Sequence, residues 1–505
     1  MKEIFLAVGG LGILWLLVQS FATRLTVYLI VLPFLTWLQI HVPSKEWTLV
    51  PSVLVILTAA VAIGLPPLRS GARLSRPAKG LTILVLLYGG LAAAEAFNPY
   101  LPSVTLGVRG ARLILEPLLL YFIGAEVARR PELTSRVIKI LIGTGVVVAA
   151  YGLKQAFLGF DHRESLYYIS NFQDVTLHEQ RVFSTMAGAS VFGNYMALIA
   201  FLAVGLIING SRRVISLSIL VAVCGIDMLV TGQRGVIVGA LGGVLVTGGM
   251  ALIRRSTRRR GVRMAQALTL LVAVLVGMVV TTPVQQRNTL LKQHESAFQA
   301  ARLKLALLKE PSQDSSISNR ETRLTELGSA LEKVPLGAGA GLNLLVGGTQ
   351  KASNQYLLGS GGYGGPGYKP PVPAIPDELY YYNLGSELGL AGLVLFCVIM
   401  LFGLIAAVGI GVRHPDSRKA TIAFGAAGFL TLIIIDSFTV DSMTAVQVAS
   451  YFWLFIGMVG RWSQEDRRPG RSWSEVVSAR PDKRLSDRPS HPPALTSRTE
   501  VLAGA

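Results

Sequence analysis

The sequence predicts an all-α integral membrane protein with about 12–13 transmembrane helices and a large extracytoplasmic loop containing amphipathic helices. Three observations predict it. Of the 505 residues, 51% are hydrophobic and only 15% charged, against about 25% charged in an ordinary soluble chain. Apolar runs of about 17 to 20 residues recur along the chain, long enough to cross about 30 Å of hydrocarbon as helices. These runs do not alternate, as the strands of a membrane barrel must. Helices satisfy their own backbone hydrogen bonds in lipid.

The expected spans are residues 4–21, 25–40, 49–66, 80–97, 112–127, 137–156, 190–208, 214–231, 235–253, 265–282, 387–410, 420–437 and 446–460. The first run has no small-residue cleavage site and reads as a retained span rather than a signal peptide. Whether both of the first two runs cross stays open, and with it the side of the N-terminus. Between the spans lie short basic clusters: Arg69, Arg73, Arg76 and Lys79; Arg129, Arg130 and Arg136; Arg212 and Arg213; Arg254 to Arg263; and Arg413, Arg418 and Lys419. From residue 67 onward they fall on one side, as cytoplasmic loops do. The formal charge of +18 is therefore topological, and no nucleic-acid partner is expected. Cys224 and Cys397 lie inside apolar runs and read as free packing residues.

The organisation that follows has four parts. Residues 1–282 hold the N-terminal transmembrane helices and an outer loop at 157–189. Residues 283–386 form the large outer loop, 387–460 the C-terminal transmembrane helices, and 461–505 a basic, disordered cytoplasmic tail. In the large loop, residues 285–310 and 320–334 carry Leu and Ala at helical spacing with mixed charge, as amphipathic helices do. Residues 359–373 (GSGGYGGPGYKPPVP) form a Gly/Pro loop. A loop of this length with helices of its own is usually functional.

Charges at membrane depth are costly and point to function or to pairing. Glu116 follows Arg112 by four residues, the spacing of an ion pair. Asp227 precedes Arg234 by seven, again on one helix face, and Asp436 lies near the outer end of its span. Arg109, Arg112, Arg181, Arg234, Arg320 and Arg323 lie outside or at the outer edge, where the positive-inside rule does not account for them. Guanidinium groups gathered there suit a diphosphate; scattered surface ion pairs are the other reading.

Four outer segments carry motifs. Residues 181–197 read RVFSTMAGASVFGNYMA, residues 231–235 TGQRG, residues 320–341 RETRLTELGSALEKVPLGAGAG and residues 377–393 DELYYYNLGSELGLAGL. In this order and topology they resemble the O-antigen ligase and O-antigen polymerase superfamily of bacterial membrane glycosyltransferases, over roughly residues 80 to 460. The resemblance implies a GT-C-like helical bundle in the bacterial cytoplasmic (inner) membrane, with the large loop as an extracytoplasmic lid. It implies transfer of a glycan from an undecaprenyl-diphosphate-linked oligosaccharide donor to a glycan or lipid-glycan acceptor, without nucleotide sugar, metal or other cofactor. Membrane lipid and other polysaccharide assembly proteins are the implied partners. By motif position, Arg181 matches the family's outer-loop arginine and Arg323 the arginine opening the loop helix. Arg234 matches the Ser-Arg-Gly hairpin, with Gln233 in place of the serine. Glu387 matches the acid before the Gly-Leu-x-Gly turn.

The His-Asn pair usual in ligases is replaced by Glu378 and Leu379, preceded by Asp377. A proton acceptor here is expected to be Asp377 or Glu378, unless these carboxylates only cap the following helix. Arg181, Arg234 and Arg323 would stabilise the leaving diphosphate. Arg109, Arg112, Arg320, Glu387 and Tyr381 are expected to bind substrate. Tyr380, Tyr381 and Tyr382 otherwise form an interfacial aromatic belt, the preferred reading for this group. Residues 337–341 (GAGAG) have no βαβ unit around them and read as a close-packing turn. The competing classes are a transporter or flippase of a lipid-linked glycan, which requires charges through both leaflets, and a non-catalytic subunit of polysaccharide export.

Overall fold

A chain this apolar buries its backbone polar groups within helices, and the computed structural model consists of helices and their connections over its described residues, 18–42, 50–70, 79–171, 181–254, 315–342 and 379–465. The order is α1 (Phe21–Val31), a 3-10 turn (Leu32–Phe34), α2 (Leu35–His41), α3 (Val50–Ser70), α4 (Lys79–Glu95), α5 (Val104–Ala128), α6 (Pro131–Leu158) and α7 (His162–Asn171). It continues with α8 (Ala189–Ile208), α9 (Val214–Val230), α10 (Arg234–Ile253), α11 (Ser315–Lys333), α12 (Tyr380–Arg413), α13 (Ser417–Asp436) and α14 (Val446–Glu465). No strand occurs among the described residues.

Among the described residues, six helical segments are long and apolar enough to cross a bilayer: Phe21–His41, α6, α8, α10, α12 and α13. Shorter apolar helices run Val50–Ala60, Gly80–Glu95 and Val214–Val230. The protein is a multi-pass membrane protein. The second N-terminal run is long and apolar enough to cross, and its α-helix gives way to a 3-10 turn at Pro33, because proline offers no amide to the preceding turn. Phe21, at its start, lies under Arg130, and His41, at its end, bonds Asp161 across the bundle. The expected spans 4–21 (up to residue 17) and 265–282, the helix at 285–310, the Gly/Pro loop and the tail beyond residue 465 lie outside the described residues.

The bundle is built around α8 and α13. In the most apolar window of α8, 94% of the residues are buried, and in that of α13, 83%. α8 packs on α6, α9, α10 and α13, and α13 also packs on α10 and α12. Small residues let the helices approach. A Cβ at Gly124 of α5 would overlap the Leu454 carbonyl of α14, and one at Gly457 would overlap the Tyr121 carbonyl of α5. In lipid, where apolar surface gains nothing by leaving its surroundings, such close backbone contact supplies much of the attraction between helices.

The basic residues at the α5–α6, α8–α9 and α12–α13 junctions, and Arg254 after α10, share one end. There Glu126 pairs with Arg129 and Arg130 at 3.0 and 2.7 Å. The Arg254 guanidinium donates to the Gly411 carbonyl, fastening α10 to α12. Two helices are longer than their apolar runs. α5 begins at Val104, capped by Ser103, and α12 begins at Tyr380. The run marks only the hydrocarbon part of a helix, and both continue past it at the end opposite the basic clusters.

Gly124→Leu and Gly457→Leu should each destabilise the α5–α14 crossing by about 2 kcal/mol or more, the scale of overpacking in a tight core. Gly143→Ala, where an added Cβ meets nothing within 4 Å, should leave thermal unfolding in detergent unchanged. Equal melting temperatures for all three variants would contradict this packing.

Candidate polar site at the end opposite the basic clusters

Of the expected site residues, Glu387 meets an irregular segment after α11. After α11 the chain runs through Pro335 and the GAGAG stretch. Gly337, Gly339 and Gly341 all have left-handed φ, at 103°, 105° and 93°, a region that glycine alone enters freely. Each alternate residue turns back, so the segment stays narrow and its amides face outward to neighbours. Ala338 N–H donates to the Ser386 carbonyl at 2.8 Å, and Gly339 N–H to the Glu387 carbonyl at 3.1 Å. Ala340 N–H donates to the Glu95 carbonyl at 3.1 Å, and Gly341 N–H to the Glu387 carboxylate at 3.1 Å. Asn98 donates to the Gly337 carbonyl at 3.1 Å and to Glu95 Oε2 at 2.6 Å. In return, α12 breaks at Gly389 (φ 67°), and Leu390 N–H donates to the Pro335 carbonyl at 3.0 Å. A Cβ at Gly110, Gly337 or Gly389 would overlap the facing backbone. The GAGAG stretch is thus a close-packing turn that ties α4, α5 and α12 together, and Glu387 is its wholly buried anchor.

The expected amphipathic loop helix is α11. Its second half lies on the start of α12. Leu327 packs with Leu379 and Tyr382, and Ala330 and Val334 pack with Ala338, Leu342 and Leu101. Tyr380, Tyr381 and Tyr382 are buried at 5%, 6% and 2% exposure, so they do not form an interfacial belt. Tyr381 Oη donates to the Ile434 carbonyl at 3.1 Å, and its ring packs on Phe438. An aromatic triplet looks the same in sequence whether lipid or a docked helix covers it.

A second cluster surrounds Asp436 at the top of α13. Asn194 of α8 and Ser442 each donate to Asp436 Oδ2 at 2.8 Å, and Thr439 donates to Oδ1 at 3.1 Å. A Cβ at Gly235 would crowd Asp436 and Thr439, so the Arg-Gly start of α10 sits against this acid. Nearby, Asn383 of α12 donates to Asp441 Oδ2 at 2.7 Å. Burial pushes the Asp441 carboxyl up to about 7, against the smaller opposing effects of its bonds to Asn383 and Thr444. Asp441 stays partly accessible.

Arg181 stands beside α7. Its backbone N–H donates to Tyr168 at 3.3 Å, and the chain then enters the bundle. Val182, Phe183, Ser184, Thr185 and Met186 are buried. Gln155 holds this turn, accepting from Ser184 N–H at 2.7 Å and donating to the Ser184 carbonyl at 3.1 Å. Thr185 donates to the Pro33 carbonyl at 2.7 Å. The segment at 157–189, expected to be a loop, contains α7, opened by a reciprocal cap: Glu164 N–H donates to Asp161 Oδ1, and Asp161 N–H to Glu164 Oε2. Burial raises the Glu164 carboxyl, but bonds from Tyr151, the Asp161 amide, Gln155 and Lys154 outweigh it and hold the group below the usual carboxylate range.

Arg109 and Arg112 top α5. Arg112 pairs with Glu116 and with Ser52 at 2.5 Å, and Ser52 donates to Glu116 at 2.7 Å; the pair expected from spacing is formed. Asp227 and Arg234, expected on one helix face, are on different helices, because α9 ends at Val230 and Gly232 (φ 63°) reverses the chain. Asp227 is fully buried beside Gly152. Arg320 and Arg323 lie in the first half of α11. Asp377 and Glu378 lie outside the described residues. The sequence reading missed Glu95, Asn98, Gln155, Glu164, Asn383 and Asp441. Asn194 lies within the 181–197 motif segment. No protein-family model matches the chain, and no curated protein matches it.

The Asp441 environment predicts a pH effect. Unfolded, this carboxyl keeps its proton only below about 4; folded, it keeps it up to about 7. The folded state binds more protons in that window, so this group's contribution falls as pH rises through it. Asp441→Asn should gain about 1–2 kcal/mol relative to wild type on moving from pH 4 to pH 8. A constant difference in melting temperature across that range would remove the assignment.

Proposed function

We propose that the protein transfers a glycan from an undecaprenyl-diphosphate-linked donor to a sugar acceptor, as a metal-independent glycosyltransferase of O-antigen polymerase or ligase type. The observation that carries the reading is that Arg109, Arg181 and Arg234 stand on helix ends and connections at the end away from the basic clusters, beside the Arg112–Glu116 pair. Cytoplasmic-loop charge does not explain cations there. In this reading the membrane is the bacterial cytoplasmic membrane, the basic end is cytoplasmic, and the arginines face the outer leaflet, where a lipid-borne diphosphate lies. The motifs that suggested the superfamily support it by their position. TGQRG forms the hairpin from α9 to α10, RVFSTMAG the buried turn before α8, and Glu-Leu-Gly the break in α12.

The chemistry then has two demands. The acceptor oxygen attacks the anomeric carbon as the carbon–oxygen bond to the diphosphate breaks, and the acceptor hydroxyl proton must leave. Arginines fixed in a water-poor site stabilise the departing diphosphate without reorganising. The proton goes to a carboxylate. Asp377 and Glu378 remain candidates by motif. Asp441 joins them, since a carboxyl titrating near neutral pH is matched to proton transfer. The buried anchoring of Glu387 suits a positioning role, holding the loop against α12.

The test uses purified protein in lipid with an undecaprenyl-diphosphate oligosaccharide, and follows release of the carrier diphosphate and product length. Arg181→Ala and Arg234→Ala should each lower turnover by about 10²–10³-fold with unchanged melting temperature. A product ladder identifies a polymerase, and a single shifted band a ligase. Variants that turn over like wild type, or a cognate carrier left unconsumed, would replace this reading with transport or scaffolding.

A further inference from the structure

We infer that the apolar groove between α8, α9 and α10 seats one acyl chain of a membrane phospholipid from the leaflet on the hairpin side. α9 packs mainly on α8, and α10 mainly on α13, so the two helices flank α8 with little contact of their own. The groove between them is lined by Ala200, Val204, Gly225, Met228, Ala240 and Val244. Its lower limit is Thr247, whose hydroxyl is taken up by the Gly243 carbonyl at 2.8 Å, leaving the wall apolar. A Cβ at Gly225 would meet nothing within 4 Å, so the α9 wall is open where a chain would lie. On the outer faces of the same two helices Ile219, Val238 and Leu245 are exposed at 60%, 44% and 76%, and their apolar side chains belong in hydrocarbon.

Dimensions select the occupant. On α10 the groove runs from Ile237 to Thr247, about 15 Å at 1.5 Å per residue. That is half of the ~30 Å hydrocarbon core, one leaflet deep, and matches an acyl chain. The much longer tail of an isoprenoid carrier would overrun it. Arg234 opens α10 one turn above Ile237, at the height of a lipid headgroup, and its charge complements a phosphate. Filling the groove with hydrocarbon restores dispersion contacts that an empty cleft loses. The inference stands independently of glycan transfer.

The test places the full chain in nanodiscs of phosphatidylglycerol and phosphatidylethanolamine, doped with a phosphatidylcholine carrying a diazirine in its acyl chain. After irradiation, labelled peptides are mapped by mass spectrometry. Labelling around Gly225–Leu229 and Ala240–Val244 should exceed that at the lipid-facing Leu401 and Ile405 of α12 about fivefold, and Gly225→Phe should lower it about fivefold while leaving α12 unchanged. Gly225→Leu is the milder second variant, and the melting temperature of each reports folding. Uniform labelling, or groove labelling unmoved by both variants, overturns the inference. So does loss of the label on adding an equal amount of undecaprenyl phosphate, which makes the carrier the occupant. Cross-linking of Met228→Cys to a second copy or to residues 265–282 also overturns it, since protein then covers the groove.

Discussion

Non-helical backbone next to a membrane must find every hydrogen-bond partner within the protein, and the docking of residues 335–341 against the break in α12 meets this constraint. The segment's amides are taken by two carbonyls of α12, one of α4 and the Glu387 carboxylate. The break at Gly389 in turn gives the Leu390 amide to Pro335. Neither irregularity would be tolerable alone. Together they fix the height of α11 on α12, the approach of α5 through Gly110, and the place of Asn383 beside Asp441. Residues that look like site chemistry in sequence, Glu387 above all, are here the means by which the site is held.

The polar groups at this end are arranged by the same economy. Asp436 collects donors from α8, from Thr439 and from Ser442, so a buried acid at a helix end is largely satisfied by neutral partners. Glu164 does likewise with Tyr151, Gln155, Lys154 and a backbone amide. A buried carboxylate without such partners costs several kcal/mol. Asp441, by contrast, is pushed up by burial to about 7, so its protonation changes near neutral pH.

The sequence made the spans legible because hydrocarbon thickness imposes a length that composition records. The runs at 190–208, 214–231 and 235–253 match α8, α9 and α10 to within a residue or so. The Arg112–Glu116 pair and the α11 helix were legible from spacing. What escaped the sequence depends on distant partners. α5 and α12 extend past their apolar runs because Gly110 and Gly389 meet other backbone there. Tyr380, Tyr381 and Tyr382 are buried because α11 folds over them. Asp227 and Arg234 part because one glycine reverses the chain. Asp441 gave no signal, since its partner Asn383 is 58 residues away.

The docking of residues 335–341 also bears on how the chain is made. Its partners come from Glu95 and Asn98, far upstream, and from Ser386, Glu387 and Leu390, some fifty residues downstream. A ribosome delivers the GAGAG stretch before α12 exists, so the amides of Ala338, Gly339 and Gly341 lack their partners until that helix is in place. Contacts this distant in sequence close late in folding. The first and last thirds of the protein are therefore joined only after synthesis is nearly complete. A chain stopped before residue 386 would present an unsatisfied glycine segment at the membrane surface, a feature by which membrane quality control can recognise an unfinished product.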